Sequence, residues 1–161
     1  QGALYAGSMT EDGAQRMVEY HVRFGDPECQ VLTLRPGAQA LDLMHATAEA
    51  RLANAQINWA EDHAMTVVMA AKGYPGSYDK GAEIKGLEAL SETSSGMVFH
   101  AGTATRGEEI VASGGRVLNV TARGAHLAQA AMRAYDMIEQ IEFPGGFYRA
   151  DIGWRELHRD T

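Results

Sequence analysis

Four short apolar stretches between Met65 and Thr121 are cut apart by glycine-rich breaks, and one long helical stripe follows them. This pattern constrains the fold most. Met65-Thr66-Val67-Val68-Met69-Ala70-Ala71 is too short and too apolar for a surface helix and reads as a strand buried on both faces. It ends at Gly73-Tyr74-Pro75-Gly76, where proline at the second turn position and glycine at the third predict a type II turn. Met97–His100, Glu109–Val111 and Arg116–Thr121 read as further strands, with Ser113-Gly114-Gly115 joining the last two as a hairpin. Leu127, Ala131, Ala134, Ile138 and Ile141 then recur at helical spacing, and Pro144-Gly145-Gly146 stops that helix.

The first third has its own pattern. Residues 3–9 and 16–22 are strand-like, and Glu11-Asp12-Gly13 between them predicts a β-hairpin. Alternation places Val18, Tyr20 and Val22 on one face, with Glu19, His21 and Arg23 on the other. A breaker-rich loop, Arg23 to Glu28, leads to the apolar run Val31–Leu34, which Pro36-Gly37 breaks. Leu41, Met44, Ala48 and Leu52 predict an amphipathic helix from Ala38 to Asn54. Strands grouped between helices, without regular βαβ units, indicate an α+β fold. The break between the two sections falls at residues 54–64, giving expected domains 1–60 and 61–161.

Composition narrows the chemistry. The 161 residues carry a net charge of −7, which argues against general nucleic-acid binding, because a phosphate backbone needs a basic surface. Eleven arginines stand against three lysines (Lys72, Lys80 and Lys85). Arginine's planar fork suits small anions, although a GC-rich genome yields the same bias. One cysteine, Cys29, allows no intrachain disulfide and fits a reducing cytoplasm. No apolar run reaches the ~20 residues that span a bilayer, so no membrane partner is expected. The methionines at 44, 65, 69, 97, 132 and 137 fall on apolar faces and are expected to fill the core. Gln1-Gly2-Ala3-Leu4-Tyr5 lacks an initiator methionine and leads straight into a strand, as expected for part of a longer protein.

Glu19-x-His21-x-Arg23, with Asp26 and Glu28 just beyond, is the densest polar cluster. A carboxylate and an imidazole two apart on a strand can reach one cation, and they can equally form an ion pair on a solvated face. Gly114-Gly115-Arg116 can offer N–H groups and a cation to an anion, or make a plain turn. His100, at a strand end before Ala101-Gly102-Thr103, is either structural or part of a binding loop.

The run Glu19-Tyr20-His21-Val22-Arg23-Phe24-Gly25-Asp26-Pro27-Glu28-Cys29-Gln30 resembles the signature of the glycinamide ribonucleotide synthetase (phosphoribosylamine–glycine ligase) family. The resemblance continues through Leu4–Gly7, Gly73–Gly76, Val98–Thr103, Gly114–Leu118 and Asp151–Arg155, in order along the chain. It implies the C-terminal part of an ATP-grasp ligase of purine biosynthesis: residues 1–60 the end of the ATP-grasp domain, residues 61–161 the C-terminal domain. Such ligases activate glycine with ATP as an acyl phosphate, which the amine of 5-phosphoribosylamine attacks. By the resemblance, Glu19 is a ligand to magnesium or manganese at the ATP phosphates. His21 stands where the family usually has asparagine, the second ligand, and histidine suits softer metals. Arg23 and Asp26 are implied near the reacting phosphate, and Gly115 and Arg116 at the phosphoribosyl group. The expected partners are glycine, 5-phosphoribosylamine and the missing N-terminal part of the same enzyme. Without that part the chain is expected to be inactive and to self-associate through its uncovered hairpin. The competing expectation is a free-standing interaction domain that kept the fold and lost ATP chemistry.

Overall fold

The computed structural model describes residues 2–37, 39–90 and 95–159. The chain divides into two compact units, Gln1–Trp59 and Ala60–Thr161. Both mix strands and helices, in agreement with the α+β expectation.

In the first unit, β1 (Tyr5–Glu11) and β2 (Ala14–His21) form a two-stranded antiparallel sheet. Asp12 and Gly13 carry positive φ angles of 51° and 79°. This is the Asp-Gly two-residue turn whose twist matches that of the strands it joins. Gly7 pairs with Glu19 but Ser8 pairs with Met17, so Val18 is an extra, bulged residue. The apolar run after the signature loop is a helix, α1 (Glu28–Leu34), in which the Thr33 hydroxyl donates back to the Cys29 carbonyl at 2.8 Å.

The next helix, α2 (Gln39–Ala48), stops well before Asn54. Ala50 takes φ 59°, the Arg51 N–H donates to the Ala46 carbonyl at 2.8 Å, and the Ala50 N–H donates to Thr47 at 3.2 Å. That pair of bonds is a Schellman cap, here closed by an alanine where glycine is usual, so the sequence carries no glycine to announce it. Leu52–Asn54 form a separate short 3₁₀ turn. Ala38 lies outside the described residues.

The second unit holds β3 (His63–Ala71), β4 (Glu83–Ile84), β5 (Gly96–His100), β6 (Thr103–Arg106), β7 (Glu109–Ala112), β8 (Arg116–Gly124), α3 (Leu127–Ile138), β9 (Gly146–Phe147) and α4 (Trp154–Leu157). Strands β5-β8-β3-β9 make one antiparallel sheet and β4-β7-β6 a second. The helix α3 packs on β3 and β8, closing a core around Val67, Val117, Leu118, Val120, Ala134 and Ile138. Its stripe carries the predicted Leu127, Ala131, Ala134 and Ile138, but the helix ends at Ile138, so the buried Ile141 lies beyond it and Pro144 is not the stop. The His126 ring caps the start by accepting from the Gln129 N–H at 3.2 Å.

Three expectations about turns and strands fail here. First, β7 and β8 are not a hairpin: β7 pairs with β6 and β4, while β8 lies in the other sheet between β5 and β3. The Ser113 and Gly114 N–H groups both donate to the Gly102 carbonyl, and this turns the chain from one sheet to the next. The true hairpin is β6–β7, where Arg106 grips Glu109 through Nε at 3.0 Å and Nη2 at 2.9 Å. Second, Tyr74–Pro75 is cis and the positive φ falls on Gly73 (98°) rather than Gly76, so the turn is not type II. Third, β3 alternates: Met65, Val67 and Met69 are buried, while Thr66 and Val68 are only half-buried, and both faces are covered only at Met69–Ala71. Among the methionines, Met65, Met69 and Met137 fill the core, whereas Met44 and Met132 are exposed and Met97 is half-buried.

Among the described residues the β1–β2 hairpin has no third strand, and Leu4, Val18 and Val22 stand exposed beside it. Unpaired strand edges next to apolar side chains are templates for a second chain. The 161-residue chain is therefore expected to associate with rising concentration in light scattering, with Val18→Lys reducing the effect. A strictly monomeric species at every concentration would contradict this.

Candidate functional site

Each strand residue on β2 is placed by the pairing of β2 with β1. Glu19 lies opposite Gly7, and His21 opposite Tyr5, whose ring stacks on the imidazole with centroids 5.6 Å apart. Glu19 and His21 therefore share a face, and His21 Nε2 approaches Glu19 Oε2 at 3.1 Å. Gly7 leaves room for this: a Cβ there would stand 3.0 Å from Glu19 Cγ. Glu19 is exposed and His21 half-buried, so the pair itself contributes little to stability. It does present a carboxylate and a ring nitrogen to one point in space, which two donors to a cation require. No group of three or more His, Cys, Asp and Glu side chains is arranged to hold a metal ion among the described residues.

The signature loop leaves β2 and enters α1. Arg23 Nη1 donates to the Phe24 carbonyl at 2.9 Å, which curls the guanidinium back on its own loop. Asp26 Oδ1 accepts from Gln30 Nε2 at 3.0 Å and the Cys29 N–H donates to the Gly25 carbonyl at 3.0 Å, so the loop is tied to the first turn of α1. A Cβ on Gly25 would meet the Glu28 carboxylate, the exposed end of a side chain that can swing aside. Burial, and then the Asp26 charge, push the Cys29 thiol up, which keeps it protonated and unreactive near neutrality.

Gly115 and Arg116 belong to the second unit, at the crossing from β7 to β8. Gly115 is buried and Arg116 exposed. The Gly114 N–H is already committed to Gly102, so it does not face an anion. His100 Nδ1, at the end of β5, lies 3.0 Å from the Thr103 hydroxyl at the start of β6.

Sequence reasoning passed over one feature of the matched stretch near Asp151. The Tyr135 hydroxyl donates to the Arg149 carbonyl at 2.9 Å and accepts the Ile152 N–H at 3.1 Å, pinning the loop to α3. Arg149 then grips both oxygens of Asp151, at 2.8 and 2.7 Å. Arg149, Asp151, Trp154 and Arg155 line a shallow pocket of about 340 Å³. The signal was available only as an arginine two residues before an aspartate, which spacing alone does not separate from chance.

The Arg149 hydrogen bond holds the Asp151 carboxyl below the usual range. Folding thus favours its ionised form. The associated stability is present above the ordinary aspartate value of about 4 and is lost as pH falls through the lower folded value. The pair is exposed, so the effect is expected to be small. Thermal midpoints followed downward from about pH 5 should fall less steeply in Asp151→Asn than in the parent; parallel curves would contradict the assignment.

Residues 64–155 match the phosphoribosylglycinamide synthetase C-domain family, and the chain belongs to that family. The phosphoribosylamine–glycine ligase of Brucella melitensis is 48% identical over 99% of this chain, and that of Salmonella typhimurium 44% identical over 99%. A crystal structure of phosphoribosylamine–glycine ligase from Thermotoga maritima superposes with a TM-score of 0.75 at 32% identity, covering 92% of this chain and 36% of its own. The chain spans 37% of the length of these two bacterial relatives. The resemblance read from the signature loop is thereby confirmed at the level of the family.

Proposed function

We propose that these residues serve a phosphoribosylamine–glycine ligase, which joins glycine to 5-phosphoribosylamine at the expense of ATP and releases glycinamide ribonucleotide, ADP and phosphate. The observation that carries this reading is the near full-length match of the chain to relatives bearing that name, with the Glu19–Gln30 signature intact. Residues 1–60 are then the end of an ATP-grasp domain, and the enzyme works in the cytoplasm.

Glu19 and His21 would hold a magnesium or manganese ion, the carboxylate suiting either and the imidazole favouring the softer manganese. Such an ion supplies neutralisation of charge on the ATP phosphates. In this chain, Tyr5 stacks on the His21 ring and fixes its plane, while the Glu19 carboxylate stands exposed beside it. The Arg23 guanidinium, on the loop that follows, adds positive charge where a phosphoryl group moves to the glycine carboxylate. Asp26 holds the same loop to α1 through Gln30, and this sets where Arg23 stands. Arg116 supplies a fork for the phosphate of 5-phosphoribosylamine, with Gly115 shaping the turn beneath it.

A second reading rests on His21, which stands where the family usually has asparagine and is engaged with Glu19. In that reading the strand face is a closed ion pair, and the chain is an interaction domain without ATP chemistry. Joining the upstream part of the Brucella melitensis ligase to Gln1 separates the two. The ligase reading expects the hybrid to restore growth without purines in a bacterium lacking its own ligase. A folded, soluble hybrid that fails where the parent ligase succeeds would favour the interaction domain.

A further inference from the structure

The turn that presents Arg116 is seated on an aromatic ring. Three loops distant in sequence meet around Gly115. From one side, Ala71 joins it to the Gly73–Gly76 turn: the Ala71 N–H donates to the Gly115 carbonyl at 2.8 Å, and the Tyr74 N–H donates to the Ala71 carbonyl at 3.0 Å. From the other side, Gly114 is held by the Gly102 carbonyl. The Tyr74 ring lies over the Gly115 Cα so closely that a Cβ would stand 2.3 Å from Tyr74 Cδ2 and 3.0 Å from Tyr78 Cε1. The two tyrosines meet edge to face, with ring centroids 6.3 Å apart.

Two consecutive glycines lose more backbone freedom on ordering than any other pair. A ring laid flush on the second of them removes that freedom before a ligand arrives, and Arg116 follows directly. We propose that Tyr74 is a positioning residue, braced by Tyr78, which fixes Gly114-Gly115 so that Arg116 is presented to a sugar phosphate. This rests on the reading of Arg116 as the phosphoribosyl contact.

Titration of the whole chain with ribose 5-phosphate, followed through the Gly115 amide and Arg116 side-chain NMR signals, tests it. Wild type and Tyr74→Phe are expected to bind alike, since the ring face is kept. Tyr74→Ala is expected to bind about tenfold more weakly while its remaining spectrum stays folded, because order must then be imposed on binding. Should Tyr74→Ala fail to fold, Gly115→Ala serves instead, its methyl displacing the ring, with the same weakening expected. Either folded variant binding as tightly as wild type would overturn the role of Tyr74 and leave the Arg116 reading standing. No binding by wild type, or unchanged binding by Arg116→Ala, would overturn that reading and this inference together.

Discussion

Leu118→Ala should cost the second unit about 2–5 kcal/mol, the range for a large aliphatic side chain cut back in a closed core. Leu118 has 0% exposure and lies on β8, which is hydrogen-bonded on both sides, to β5 and to β3. Neither neighbouring strand can shift to fill the space without breaking a ladder, so the cavity term adds to the lost burial. For a unit of this size, each kcal/mol moves the midpoint roughly 4–8 °C, which puts the expected fall at about 10 °C or more. Leu41→Ala removes the same atoms from a side chain that is 73% exposed, and it should stay within about 0.5 kcal/mol of the parent. Scanning calorimetry distinguishes them; equal midpoints for both variants would mean that the core does not lie where β8 crosses α3.

Glu19→Gln in the hybrid ligase should lower turnover roughly 10²–10³-fold, the loss typical when one group that stabilises developing charge is removed. The substitution keeps shape and volume and removes only the negative charge. Glu19 is exposed and glutamine keeps its stem against Gly7, so the melting temperature should change little. An activity loss without a stability loss is the signature of a functional rather than a structural carboxylate. Unchanged turnover at saturating magnesium, and again at saturating manganese, would remove Glu19 from the reacting centre.

How far the sequence carried depended on whether the deciding interaction was local. The hairpin at Asp12-Gly13 and the α3 stripe were legible because turn chemistry and a 3.6-residue period are written in neighbouring residues. The Glu19–His21 pair followed from strand alternation for the same reason. The supposed β7–β8 hairpin failed because Gly-Gly signals a change of direction but not the strand that follows as partner. That choice is made by Gly102, about a dozen residues upstream, which captures the Ser113 and Gly114 N–H groups. The early end of α2 was hidden because its cap uses Ala50 at φ 59° in place of glycine. Tyr74 was met only as part of a turn, since its contact with Gly115 joins loops some forty residues apart.

The most direct measurement is the product itself. The hybrid is incubated with ATP, magnesium, isotopically labelled glycine and freshly formed 5-phosphoribosylamine, and the mixture is read by mass spectrometry. The account predicts labelled glycinamide ribonucleotide in equal amount to ADP, with both nearly abolished by Glu19→Gln. A folded hybrid that yields neither compound, while the intact Brucella melitensis ligase yields both under the same conditions, would contradict it.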